Sequence, residues 1–69
     1  MNRENIAELQ HAWRAAIQEE RNARERYLAA KLLTSDPGTR SLFDYLAEEE
    51  LKHQRLLEDE YAKAFEREM

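Results

Sequence analysis

One breaker cluster organises the whole chain. The segment "TSDPG", residues 34–38, holds the only proline and the only glycine of a 69-residue sequence. A proline inside a helix costs about 3 kcal/mol, and a glycine there about 1 kcal/mol. A chain that confines both to its middle reads as two long helices joined by a tight turn. Asp36 has the side chain of a helix N-cap, and Pro37 then takes the first helical position, where its missing N–H costs nothing. The expected architecture is a single all-α domain over 1–69, an antiparallel helical hairpin. Its first helix runs over 4–33, its turn over 34–36 and its second helix over 37–67.

Composition narrows what such a hairpin can do. Charged residues make up 38% and hydrophobic ones 42%, the profile of long surface helices. Cysteine is absent, which excludes disulfides, thiolate metal sites and a thiol nucleophile. A net charge of −4 argues against binding a nucleic-acid backbone, which calls for a basic face. No apolar run is long enough to span a bilayer, and "MNRENIAELQ" lacks the apolar core of a signal peptide. A soluble cytoplasmic protein is expected, with neither nucleic acid nor membrane as partner. A chain this short buries little of its own surface. Its stability is expected to come from a partner chain, a metal, or both.

Helical phase, at about 100° per residue, sorts the remaining side chains. In the first helix Ile6, Leu9, Trp13, Ile17, Tyr27 and Leu28 form one stripe, padded by Ala16 and Ala23. Ile6, Trp13 and Tyr27 fall on a seven-residue row whose missing member is Glu20. In the second helix the stripe is Leu42, Phe43, Leu46, Leu56, Leu57, Tyr61 and Ala64. Its centre falls between Glu50 and His53, each within roughly 30° of it. Two polar residues are therefore expected where leucine would serve packing better. Glu49 lies further round and is expected as rim charge, with a role as extra ligand the alternative. Glu48 points outward.

Height along the hairpin adds a constraint. With the turn at Ser35, Glu20 and Glu50 are equally far from it and should lie level. His53 is one turn further, roughly 4.5 Å along the axis. A two-helix hairpin cannot cover its own stripe, so a two-fold homodimer is expected, with its axis crossing a four-helix bundle near the middle. That gathers both copies of Glu20, Glu50 and His53. Four carboxylates in one core repel, and each costs several kcal/mol to desolvate. Two divalent cations would neutralise them, and oxygen plus imidazole donors suit iron or manganese. The pattern matches the bundle di-metal site, in which two helices each give a Glu and two give Glu-x-x-His. Glu20 would be a terminal ligand, Glu50 a bridging one, and Tyr27 a hydrogen-bonding partner behind a ligand carboxylate.

The segments "ERNARERY" (20–27) and "LAEEELKH" (46–53), joined through "DPG", resemble one half of the ferritin-like domain of rubrerythrins. Encapsulated ferritins are similar half-domains that assemble from two chains. The resemblance implies a ferritin-like four-helix bundle and two iron ions per dimer, held by Glu20, Glu50 and His53. It also implies oxidation of Fe(II) by O2 or peroxide, of ferroxidase or peroxidase type. Rubredoxin-like cysteines are missing, so peroxidase cycling would need an external electron donor. No encapsulin-docking tail follows Tyr61, so this chain gives no sign of its own of residence in a protein compartment.

Other readings stay open at this point. Glu8 and His11 share the Glu-x-x-His spacing but fall on the face opposite the stripe, where they read as solvated surface. Glu50 and His53 could be a polar seam that fixes register. Glu20 could pair with Arg24 four residues on. Trp13 reads as core packing. A manganese or zinc site without redox chemistry is one rival function. A metal-free hairpin serving dimerisation or interaction is the other. Assembly beyond the dimer is left open.

Overall fold

The structure, a computed structural model, describes residues 5–66. It consists of two α-helices, α1 (Ile6–Lys31) and α2 (Pro37–Phe65), packed antiparallel as a rod of 52 × 20 × 17 Å. Expected boundaries at residues 4 and 67 lie outside the described residues. Asn5 caps α1, its side chain accepting from the Glu8 backbone N–H at 3.0 Å. Among the described residues neither helix is long and apolar enough to cross a membrane.

The turn carries out what its residues dictate. Asp36 caps α2, its carboxylate accepting from the Thr39 backbone N–H and hydroxyl, both at 2.8 Å, and Pro37 opens the helix. At the other end, α1 stops at Lys31 rather than residue 33. Leu32 and Leu33 donate to Ala29 and Ala30 in the tighter i→i−3 pattern that closes many helices. Arg40 then reaches back and donates to the carbonyls of Lys31 (3.2 Å) and Thr34 (3.0 Å), which have no helical partner. Lys31 pairs with Asp44 at 2.8 Å across the turn.

Aromatic layers hold the helices together above and below the middle. Toward the turn, Tyr27 stacks on Phe43 at 6.2 Å. Toward the free ends, Trp13 meets Phe65 edge-on at 5.6 Å and Tyr61 at 6.3 Å. The Trp13 indole N–H donates to the Leu57 carbonyl at 3.0 Å, tying α1 directly to the α2 backbone. Between these layers lie Ile17 and Ala47, the only buried hydrophobic residues among those described.

The single stripe expected on each helix resolves into two adjoining seams. The helix-to-helix seam of α2 runs through Phe43, Ala47, Glu50, Gln54, Leu57 and Tyr61, spaced alternately four and three apart. Leu42 (52% exposed) and Leu56 (59%) lie outside it, and Ile6 and Leu9 at the start of α1 are likewise exposed. A phase average over the whole helix merges seams offset by one residue, about 100°, which is why the sequence pattern shows one.

Candidate metal centre

The residues singled out for their phase meet at mid-height. Glu20 on α1 and Glu50 and His53 on α2 each present one donor atom, and the three atoms lie within 4.8 Å of one another. His53 Nδ1 is 3.5 Å from Glu20 Oε1 and 3.6 Å from Glu50 Oε1. The equal distance of Glu20 and Glu50 from the turn brings the two acids level. The three-residue step from Glu50 to His53 puts both on one flank of α2.

Glu20 and Glu50 are partly buried, with 26% and 20% of their side chains exposed. Glu20 Oε1 is buried and has no hydrogen-bond partner. A buried carboxylate oxygen without a donor is costly, and native folds rarely leave one unexplained. The Glu50 carboxyl, close enough to share a proton, pushes the Glu20 pKa above its ordinary value; desolvation adds to the rise and His53 opposes it.

His53 departs from expectation. Within one hairpin its side chain is 55% exposed. It stands at the edge of the helix-to-helix seam rather than in it, because the second-seam residues Leu42, Leu46 and Leu56 share its flank. Its Nδ1 nevertheless turns inward to the two acids. Tyr27 shares with Glu20 and Glu50 an open groove of about 470 Å³, floored by Ala23 and edged by Glu19 and Arg26. Its ring is committed to Phe43, and among the described residues its hydroxyl makes no hydrogen bond to a ligand carboxylate. Glu49 is engaged by Lys52 at 3.2 Å and stays outside the cluster, as rim charge. Arg24 forms no ion pair with Glu20 among the described residues, so the i,i+4 alternative for Glu20 is absent. Glu8 and His11 are both exposed.

The donor set fits a cation. Oxygen and nitrogen ligands sit about 2.1 Å from a small divalent ion, so neighbouring ligands in a tetrahedral shell are about 3.4 Å apart. The two imidazole–carboxylate distances are already near that value. One carboxylate oxygen waits without a donor, and two acids face each other with one imidazole between them. Three donors from one hairpin would fill only part of a divalent ion's coordination shell.

Two contacts near the site had no signal in the sequence. The Trp13–Leu57 hydrogen bond uses a carbonyl in mid-helix, and spacing does not predict which carbonyl an indole will reach. Arg14 donates to the Tyr61 hydroxyl at 2.6 Å and lies 5.9 Å over its ring, a pairing set by the relative rotation of the helices. No known protein family, curated protein or solved structure matches the chain.

Proposed function

We propose that two copies of this hairpin form a ferritin-like four-helix bundle holding a pair of divalent cations, and that the protein is a di-iron oxidase. Glu20, Glu50 and His53 of each copy would hold the ions. The observation that carries the reading is the Glu20 carboxylate: its Oε1 is buried, is without a hydrogen-bond donor, and lies beside a second carboxylate. A cation relieves all three conditions together. The oxygen and nitrogen donors suit iron or manganese, and the layout is half of the bundle di-metal pattern. The resemblance of segments 20–27 and 46–53 to rubrerythrins supports the same choice.

Iron in this site would supply oxidation of Fe(II) by O2 or peroxide, in a ferroxidase or a peroxidase. The chain's own residues do the rest. Glu20 and Glu50 would supply carboxylate oxygens to the ions and His53 an imidazole nitrogen, so that four carboxylates would face two divalent ions across the two copies. The Trp13–Tyr61–Phe65 layer and the Tyr27–Phe43 layer limit water above and below. Peroxidase turnover would draw electrons from an external donor, since the chain has no cysteine with which to build a rubredoxin-like centre.

Aerobic addition of Fe(II) to metal-free protein tests this. Near-ultraviolet absorbance should rise and saturate at about one iron per chain. Unchanged spectra and melting temperature across Fe(II), Mn(II) and Zn(II) would leave the metal-free interaction module as the better account. That second reading draws on the exposed Leu32, Leu33, Leu42 and Leu56. It leaves the Glu20 oxygen to a proton shared with Glu50 or to the His53 ring 3.5 Å away rather than to a cation.

A further inference from the structure

Helical phase puts a second recess on the opposite flank of α1 from the groove beside the metal centre. It has a volume of about 310 Å³, at the small end of the range for small-molecule sites. Arg14, Gln18 and Arg21 line it from α1, Glu58 and Tyr61 line it from α2, and the buried Ile17 is its floor. The three polar residues of α1 are spaced four and three apart and so share one face. None of the six belongs to the metal centre.

Two cations converge in this recess. Arg14 and Arg21 are two turns apart on α1, about 10 Å of rise. Their guanidinium groups end closer together along the axis, because α2 receives them at neighbouring positions. Arg14 donates to the Tyr61 hydroxyl at 2.6 Å, and Arg21 donates to Glu58 Oε2 at 3.1 Å. Glu58 and Tyr61 are only one turn apart, about 4.5 Å of rise. Like charges brought together in this way favour an anion between them. Glu58 answers only part of that demand. Its Oε2 is shared between Arg21 and Gln54, and among the described residues Arg14 meets no carboxylate. Gln18 gives its amide to Asn22 at 3.0 Å and adds no charge. The recess therefore sets two guanidinium charges against one carboxylate, in a chain whose net charge is −4.

Arg14 is also held in place. Its guanidinium lies 5.9 Å over the Tyr61 ring, which packs against Trp13 at 6.3 Å and Phe65 at 4.9 Å. A donor fixed before binding loses less freedom when a ligand arrives. Arginine has five N–H donors, and the hydroxyl that accepts one of them keeps its own proton to give. A planar carboxylate matches the guanidinium fork with two parallel hydrogen bonds. A phosphate dianion would bring a second negative charge toward Glu58. Ile17 supplies apolar surface beside the charged groups.

We propose that this recess binds a small organic carboxylate with an apolar body. The carboxylate sits on the Arg14 guanidinium and the Tyr61 hydroxyl, Arg21 adds a second guanidinium, and the body covers Ile17. The site depends neither on the metal centre nor on how the chain assembles.

Benzoate is the probe, with benzamide as its neutral counterpart and inorganic phosphate as the competing anion. Each is titrated into the full chain in chelator at constant ionic strength, and NMR follows the Arg14 Nε–H and the Trp13 indole N–H. Benzoate should shift both signals and saturate, and benzamide should leave them in place. Arg14→Gln should weaken benzoate binding about tenfold or more, the worth of one hydrogen bond to a charged group. Arg14→Lys keeps the charge without the fork and should fall between that variant and wild type. Glu58→Gln frees Arg21 and should tighten binding severalfold. Circular dichroism confirms that each variant stays helical. Shifts that do not saturate, equal shifts with benzamide, or phosphate bound as tightly as benzoate would overturn the proposal. Unchanged affinity in Arg14→Gln, or weaker binding in Glu58→Gln, would do the same.

Discussion

Replacing Glu50 with leucine should make the metal-free protein more stable while destroying its metal site. Glu50 sits in the helix-to-helix seam with 20% of its side chain exposed. Fully burying a leucine side chain contributes about 1.5–3 kcal/mol relative to leaving it in water. About four-fifths burial therefore gives roughly 1–2 kcal/mol, before counting the relief of carboxylate repulsion. In a domain of this size each kcal/mol shifts Tm by about 4–8 °C, so a rise of roughly 5–15 °C is expected. The variant should also change the pH profile. Glu50 is the main reason that the Glu20 pKa is raised. A carboxyl whose folded pKa is raised binds more protons folded than unfolded, so stability falls as pH rises. The loss starts near the ordinary value of 4.5 and is complete above the raised one. Metal-free wild type should thus melt higher at about pH 5 than at about pH 7.5, and Glu50→Leu should flatten that slope. Thermal circular dichroism in chelator, at matched chain concentration, measures both. A lower Tm in the variant, or an undiminished slope, would refute a repulsive carboxylate pair at this height.

Three further outcomes follow from the same contacts. His53→Ala should abolish Zn(II) uptake in calorimetry while His11→Ala leaves it intact, and equal loss from both would mean that helical face does not matter. Asp36→Ala removes the acceptor for two Thr39 donors and should lower Tm by about 4–8 °C at neutral pH. Thr39 also holds the Asp36 pKa below its ordinary 3.8, so the contribution of this cap is present above that pH and fades in acid below it. Trp13→Phe removes the indole donor to Leu57 and should cost about 1 kcal/mol in chemical denaturation, without changing metal stoichiometry.

The parts of this molecule that could be read from sequence are those set by local chemistry and by counting. Asp36 and Pro37 mark the start of α2 because capping and a fixed proline φ act within a few residues. Glu20 and Glu50 come level because helical rise is regular. The position of His53 was less legible. Phase placed it near the middle of an apolar stripe, but the stripe was a sum of two seams, and the hairpin fills only one. What covers the other depends on a second surface, which residue spacing in one helix does not specify. Tyr27 shows a related limit. Its row position brings it to the site's groove, but the choice between stacking on Phe43 and bonding a carboxylate depends on the helix rotation. The end of α1 also falls two residues short of the expected one: Arg40, nine residues on and across the turn, donates to the Lys31 carbonyl at the helix end, a contact that helical spacing does not show.

Anomalous diffraction from crystals of the full chain grown with Zn(II) or Fe(II) tests the metal centre directly. The account predicts a pair of peaks per bundle, each within coordination distance of a Glu20 oxygen, a Glu50 oxygen and His53 Nδ1. Peaks only at surface carboxylates, or none, with the Glu20 and His53 side chains turned out to solvent, would contradict it.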